Sequence, residues 1–146
     1  MRACVRSTLV ALLLPFLPLT TLHAADAVKA QGYAIYYSAV ATDTIPAQVA
    51  ARHGLRRAAA AGVVNISVMR GPDAARGTPV AATVRGAAYT LLGKRIALNF
   101  RTVDDAGMVY YLAALHIPRP DTLRFVLTVT PAGAAPIAVD FSRDFP

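Results

Sequence analysis

The sequence predicts a mainly β protein, an immunoglobulin-like antiparallel β-sandwich of about seven strands with one short α-helix. Three observations carry that expectation. Apolar and polar residues alternate in one short run after another, the two-residue period of a strand with a single buried face. Clusters of Gly, Pro and Asp separate the runs at close spacing, as turns do. Helix signals at both ends occur around one stretch only, from Pro46 to Gly54.

The 146-residue chain opens with an export signature. Arg2 and Arg6 precede an apolar run from Thr8 to Leu19, and Leu22-His23-Ala24 offers a cleavage site. Residues 1–24 are therefore expected to be a signal peptide, and the mature chain to reach the periplasm. The run is shorter than the roughly 20 residues a membrane-spanning helix needs. Cys4 lies ahead of the apolar run, where a lipoprotein cysteine does not occur, so the mature chain carries no cysteine for a disulfide or a thiolate metal site. Residues 25–31 lack periodicity and are expected to form a mobile lead-in to a single domain spanning 32–146.

Gly32 to Ala41 alternates Tyr33, Ile35, Tyr37 and Ala39 against Ala34, Tyr36, Ser38 and Val40, a first strand with aromatics on both faces. Pro46 suits the first turn of a helix because its missing N–H would have no partner there, and Gly54 suits the residue past the end, leaving two turns over Ala47 to His53. So short a helix must dock to persist, through Val49, Ala50 and His53. Leu55 to Ala61 reads as an irregular or edge passage. Gly62 to Met69 is the core strand, with Val64, Ile66 and Val68 alternating with Asn65 and Ser67.

Gly71 to Pro79 reads as a long polar hairpin loop. Val80 to Arg85 is a strand, Gly86 interrupts it by a bulge or a close backbone approach, and Ala87 to Leu92 resumes it. Gly93-Lys94 is a tight turn. Ile96, Leu98 and Phe100 alternate with Ala97, Asn99 and Arg101 as one strand, and Asp104 to Gly107 turns the chain. Met108 to Ile117 is apolar enough to be covered on most of both faces. Leu123 to Thr130 and Ile137 to Phe141 complete the set, with Asp140 and Ser142 outward.

Without Arg2 and Arg6 the chain holds 13 Lys and Arg against eight Asp and no Glu, a net charge of +5. Outside the cytoplasm that balance points toward lipid headgroups, envelope polysaccharide or acidic peptides and away from nucleic acid. The same charge spread over loops also serves solubility.

Arg57 is followed by Gly62-Val63-Val64-Asn65-Ile66-Ser67-Val68, then Val80, Ala82, Gly86, Leu91-Leu92-Gly93, Phe100-Arg101 and Tyr110-Tyr111. In that order the series resembles the small secreted proteins of Gram-negative bacteria grouped as domain of unknown function 4426, from about Tyr33 to Phe145. The resemblance implies a periplasmic all-β domain and supplies no catalytic residues. It also implies a Ser or Thr before the helix proline and a Ser after the arginine, where this chain has Ile45 and Ala58. Lack of such a cap costs about 1 kcal/mol, so a looser helix start is expected.

Nucleophilic catalysis needs a base within reach of a nucleophile. His53 and His116 are the imidazoles of the mature chain, and Ser38, Ser67 and Ser142 lack the glycine-framed turn that presents a nucleophilic hydroxyl. His116 is expected to be a structural histidine on a buried strand, and His53 to sit favourably at a helix end. Asp104 and Asp105 supply too few oxygens for calcium, and no metal or cofactor is expected. The best candidates for a specific role are Arg57 and Asn65, with the tyrosines Tyr36, Tyr37, Tyr110 and Tyr111. One reading has them line a shallow groove for an anionic or peptide ligand. The preferred reading is a buried polar network in which Arg57 supplies the partners Asn65 requires and pins the helix segment to the sheet.

The function expected is a non-enzymatic binding or scaffolding module of the cell envelope, its partner an envelope protein, a peptide or an anionic envelope component. The alternatives are an envelope hydrolase or lyase using His53 or His116, and a binder of anionic membrane surfaces acting through Arg52, Arg56 and Arg57.

Overall fold

The computed structural model describes residues 26–71 and 76–146; the expected signal peptide, residues 1–24, lies outside them. Among the described residues ten strands run β1 (Ala27–Ala30), β2 (Tyr33–Ala41), β3 (Ala61–Arg70), β4 (Thr78–Pro79), β5 (Ala82–Tyr89), β6 (Arg95–Ala97), β7 (Arg101–Asp105), β8 (Met108–His116), β9 (Asp121–Pro131) and β10 (Ile137–Phe145). Between β2 and β3 come a short 3-10 turn (Thr42–Thr44) and the helix α1 (Ala47–Arg52). One antiparallel sheet has the order β1-β2-β3-β8-β7, with β4 on the far end of β3; the other has the order β10-β9-β5-β6. With β1 and β4 set aside, β2-β3-β8-β7 facing β10-β9-β5 repeats the A-B-E-D and G-F-C orders of an immunoglobulin-type sandwich, and β6 is the added C′ strand.

Strand alternation builds the core. Val64, Ile66 and Val68 of β3 and Leu123, Phe125, Leu127 and Val129 of β9 are at most 1% exposed, each row pointing at the other sheet. Phe141 stacks on Tyr37 of the first sheet at 4.4 Å and on Phe125 of its own at 4.8 Å, so three rings bridge the layers. Gly86 is a close backbone approach without a bulge. A Cβ there would stand 2.3 Å from the Val126 carbonyl oxygen, and β5 runs unbroken through it.

Several expectations need correcting. The lead-in is ordered from Ala27 to Ala30, because Gln31 and Gly32, both with positive φ, close a two-residue hairpin that sets β1 on β2. Ile96 to Arg101 is not one strand: β6 belongs to the second sheet and β7 to the first, and buried Leu98 marks the crossing. The alternation persists because both pieces flank the same core. Asp104 and Asp105 end β7, and the turn is Ala106-Gly107 alone, both at positive φ. The strand before Gly93 stops at Tyr89, leaving Leu91 and Leu92 on the hairpin tip. Pro46 is the capping residue of α1 rather than its first helical residue, and no side chain caps the helix there.

Candidate functional site

Residues directly opposed in a sheet share a face. Ser38 opposes Asn65, Asn65 opposes Leu112 and Leu112 opposes Arg101, which makes one row across the outer face of the first sheet. Val40, Val63 and Ala114 form the row on one side of it, and Tyr36, Ser67, Tyr110 and Val103 the row on the other.

Helix α1 is laid over this face by its own C-terminus. Gly54, at φ 63°, lets the chain reverse; its N–H donates to the Ala51 carbonyl at 3.1 Å, and the Leu55 N–H donates to the Ala50 carbonyl at 2.8 Å. These are the two bonds of a Schellman motif, which brings the residue after the glycine back against the last turn. Leu55 and Val49 thereby line the same cleft. Ala50 is buried beneath the helix, while Val49 stays 39% exposed at the cleft wall.

The cleft has a volume of about 360 Å³. Val40, Ile45, Val49, Leu55, Val63 and Leu112 supply its apolar walls, and Ser38, Asn65, His53, Asp105 and Tyr110 its polar end. One hydrogen bond holds the helix terminus, and the Asp105 carboxylate lies near it beyond hydrogen-bonding distance. The Arg101 guanidinium donates to the His53 carbonyl, and the His53 imidazole Nε2 lies 4.0 Å from the Asp105 carboxylate. Asn65 Oδ1 is shut off from solvent and has no hydrogen-bond partner. An orphaned buried carbonyl oxygen of this kind costs about 1–3 kcal/mol.

The six residues singled out from sequence do not form one constellation. Asn65 and Tyr110 line the cleft, and Tyr36 stands on the same face beside Ser67. Tyr37 and Tyr111, one residue further along their strands, point the other way into the core. Tyr37 joins the ring stack, and the Tyr111 hydroxyl accepts the Ala82 N–H at 2.6 Å from the opposite sheet. Arg57 does not reach Asn65; its guanidinium donates to the Asp43 carbonyl at 2.8 Å, near the surface. What pins the passage from Leu55 to Ala61 is Thr42, 2% exposed, whose hydroxyl donates to the Arg56 carbonyl at 2.8 Å and accepts the Ala58 N–H at 3.1 Å. His116 is exposed on the outer face, in a separate depression with Arg56 and Ala60. Asp105, weighed from sequence for calcium, and Ser38, weighed as a nucleophile, line the cleft instead. Nothing local in the sequence joins Asp105 to His53, since their proximity depends on the β7–β8 pairing.

Fold and cleft together define a class: a mainly β, two-sheet sandwich with an amphipathic cleft under helix α1. Among the described residues no group of three or more His, Cys, Asp or Glu side chains is placed to hold a metal ion, and no helix is long and apolar enough to cross a membrane. Residues 27–146 match the family described as Domain of unknown function (DUF4426), and the chain belongs to that family. It is similar to the crystal structure of a DUF4426 family protein from Pseudomonas aeruginosa PAO1, with 32% identity, a TM-score of 0.71, and coverage of 84% of this chain and 95% of that one. No curated protein matches the chain.

Proposed function

We propose that the protein is an exported, non-enzymatic binding module of the bacterial envelope, and that its ligand seats an aliphatic group in the cleft between α1 and the outer face of the first sheet. The observation that carries this reading is the composition of the cleft: six apolar walls around a few convergent polar groups, in a volume within the range of small-ligand sites. Arg57 lies outside it, and among the described lining residues the fixed charge is the Asp105 carboxylate. That favours a ligand bearing N–H or O–H donors over the anion considered from sequence. Export rests on the N-terminal pattern of Arg2, Arg6 and the apolar run.

The test is an NMR titration of the exported protein with size-fractionated periplasmic extract. Shifts confined to Val49, Leu55, Asn65 and Leu112, and abolished in Leu112→Arg, support the reading. A fraction series that moves none of these resonances counts against it, as does recovery of the full-length chain from the cytosol.

A second reading is favoured by one contact. His53 beside Asp105 in a cleft that also contains Ser38 is the raw material of a general base, and a hydrolase or lyase of envelope material would use it. Turnover in an activity screen that disappears in His53→Ala decides for this reading and against the first.

A further inference from the structure

The hairpin between β5 and β6 carries the two most exposed large apolar side chains among the described residues, Leu91 at 75% and Leu92 at 98%. The tip is a closed structure. The Gly93 N–H donates to the Thr90 carbonyl at 2.9 Å, and Gly93 then takes φ 80°, which gives the three-residue hairpin of a type I turn followed by a left-handed glycine. The Thr90 N–H donates to the Lys94 carbonyl at 3.0 Å, the Lys94 N–H to the Thr90 hydroxyl at 3.0 Å, and the Leu91 N–H to Asp121 Oδ1 at 3.3 Å. Four of the five amides from Thr90 to Lys94 thus have partners within the protein.

That combination is what entry into an apolar boundary requires, since backbone donors without partners are expensive there. Lys94 and Arg95, both exposed, follow the two leucines after Gly93. Two carboxylates lie nearby, Asp121 accepting the Leu91 amide and Asp144 the Thr122 hydroxyl at 2.7 Å, and both keep their charge, so the attraction to an anionic surface rests on Lys94 and Arg95. Behind the tip, Tyr89, Leu91 and half-exposed Val126 line a shallow depression on the outer face of the second sheet. From this we propose that the β5–β6 hairpin docks the protein onto an anionic lipid bilayer, Leu91 and Leu92 entering the acyl boundary while Lys94 and Arg95 sit among the headgroups. The contact lies on a different sheet from the helix-side arginines Arg52, Arg56 and Arg57, and is independent of the ligand cleft.

The experiment is co-sedimentation of the exported protein with vesicles of phosphatidylethanolamine and phosphatidylglycerol, against vesicles of phosphatidylcholine alone. The expected result is binding to the anionic vesicles that weakens as salt is raised. Leu91→Asn with Leu92→Asn lowers the partition at least about tenfold and leaves the unfolding midpoint within error, because both side chains are already in solvent. Lys94→Ser with Arg95→Ser weakens binding and flattens its salt dependence, and Arg52→Ser with Arg56→Ser leaves it unchanged. The proposal is overturned if the unaltered chain binds neither vesicle, the tip then being a protein contact, if the leucine variant binds as well as the parent, or if the helix-side variant alone loses binding.

Discussion

The Tyr111 hydroxyl accepts the Ala82 N–H at 2.6 Å, a hydrogen bond from the middle of one sheet to the start of a strand in the other. Tyr111 is 5% exposed, so its removal leaves that N–H without a ready replacement. Tyr111→Phe is expected to lower the unfolding free energy by about 1–3 kcal/mol. Tyr110→Phe, on the solvent side of the same strand, is expected to change it by less than about 0.5 kcal/mol. Urea denaturation of the two variants separates a core tie from a cleft residue; equal losses would contradict the facing assigned to the pair.

Thr42 makes a comparable prediction for the passage that sequence reasoning assigned to Arg57. Thr42→Val keeps the shape of the side chain but strands the Arg56 carbonyl and the Ala58 N–H. A loss of about 1–3 kcal/mol is expected, against less than about 0.5 kcal/mol for Arg57→Ala at the surface. Hydrogen exchange gives the local check, with protection of the Ala58 amide falling in the first variant and holding in the second.

Of the two glycines around the β5–β6 hairpin, Gly86 combines a close approach with a positive φ of 153°, and Gly93 has the positive φ alone. At Gly86 an added methyl meets the Val126 carbonyl oxygen at 2.3 Å and Leu127 Cα at 2.8 Å, both backbone atoms that cannot step aside. Gly86→Ala is expected to cost more than about 3 kcal/mol. At Gly93 nothing lies within 4 Å, and only the left-handed φ of 80° opposes a side chain. Gly93→Ala is expected to cost about 1–2 kcal/mol. Thermal unfolding of the pair tests the order, and a reversal would place the strain in the wrong residue.

The outer face of the second sheet carries a bidentate pair in which Arg124 Nε donates to Asp140 Oδ1 at 3.0 Å and Nη2 to Oδ2 at 2.5 Å. Hydrogen bonding from Arg124 holds the Asp140 carboxyl below its ordinary range; partial burial opposes this and the arginine charge assists it. A carboxyl whose folded value lies below its unfolded one contributes stability that is present above the unfolded value and lost as pH falls through the folded one. Relative to Asp140→Asn, the parent should therefore lose stability as pH falls through and below the ordinary carboxylate range. Both groups are largely in solvent, so the difference should be small and shrink with salt. A difference that grows on acidification would reverse the sign and refute the pairing.

How much of this was legible beforehand follows from the range of each determinant. Alternation in β3, β9 and β10 is local, so the strands and their buried rows could be read directly, as could the glycine that ends α1. Whether a residue faces core or solvent flips at every step, and adjacent pairs such as Tyr36-Tyr37 and Tyr110-Tyr111 put one member on each side. Treating each pair as a unit was the error that placed Tyr37 and Tyr111 in a groove. Ile96 to Phe100 kept a perfect period across a change of sheet, since period reports burial and not hydrogen-bond partner. The cleft was out of reach for a further reason: His53 and Asp105 meet only through a helix reversal and a hairpin pairing, neither of which the composition around them encodes.

Asn65 was legible as an anomaly, a polar residue in a valine-rich strand, and the anomaly persists in the folded chain because its Oδ1 is buried without a donor. A stranded oxygen of this kind is a cost that a ligand bound in the cleft would recover. Asn65→Leu, close in volume, removes the stranded oxygen and adds apolar surface beside Leu112, its cross-strand neighbour. The expected outcome is a gain of about 1 kcal/mol in unfolding free energy, together with loss of the ligand-induced shifts at Val49 and Leu55. Urea denaturation reads the first and the periplasmic titration the second. Destabilisation with binding retained would mean that Asn65 serves the sheet and not the cleft, because a side chain that the sheet needs should cost stability when it is replaced by a hydrocarbon.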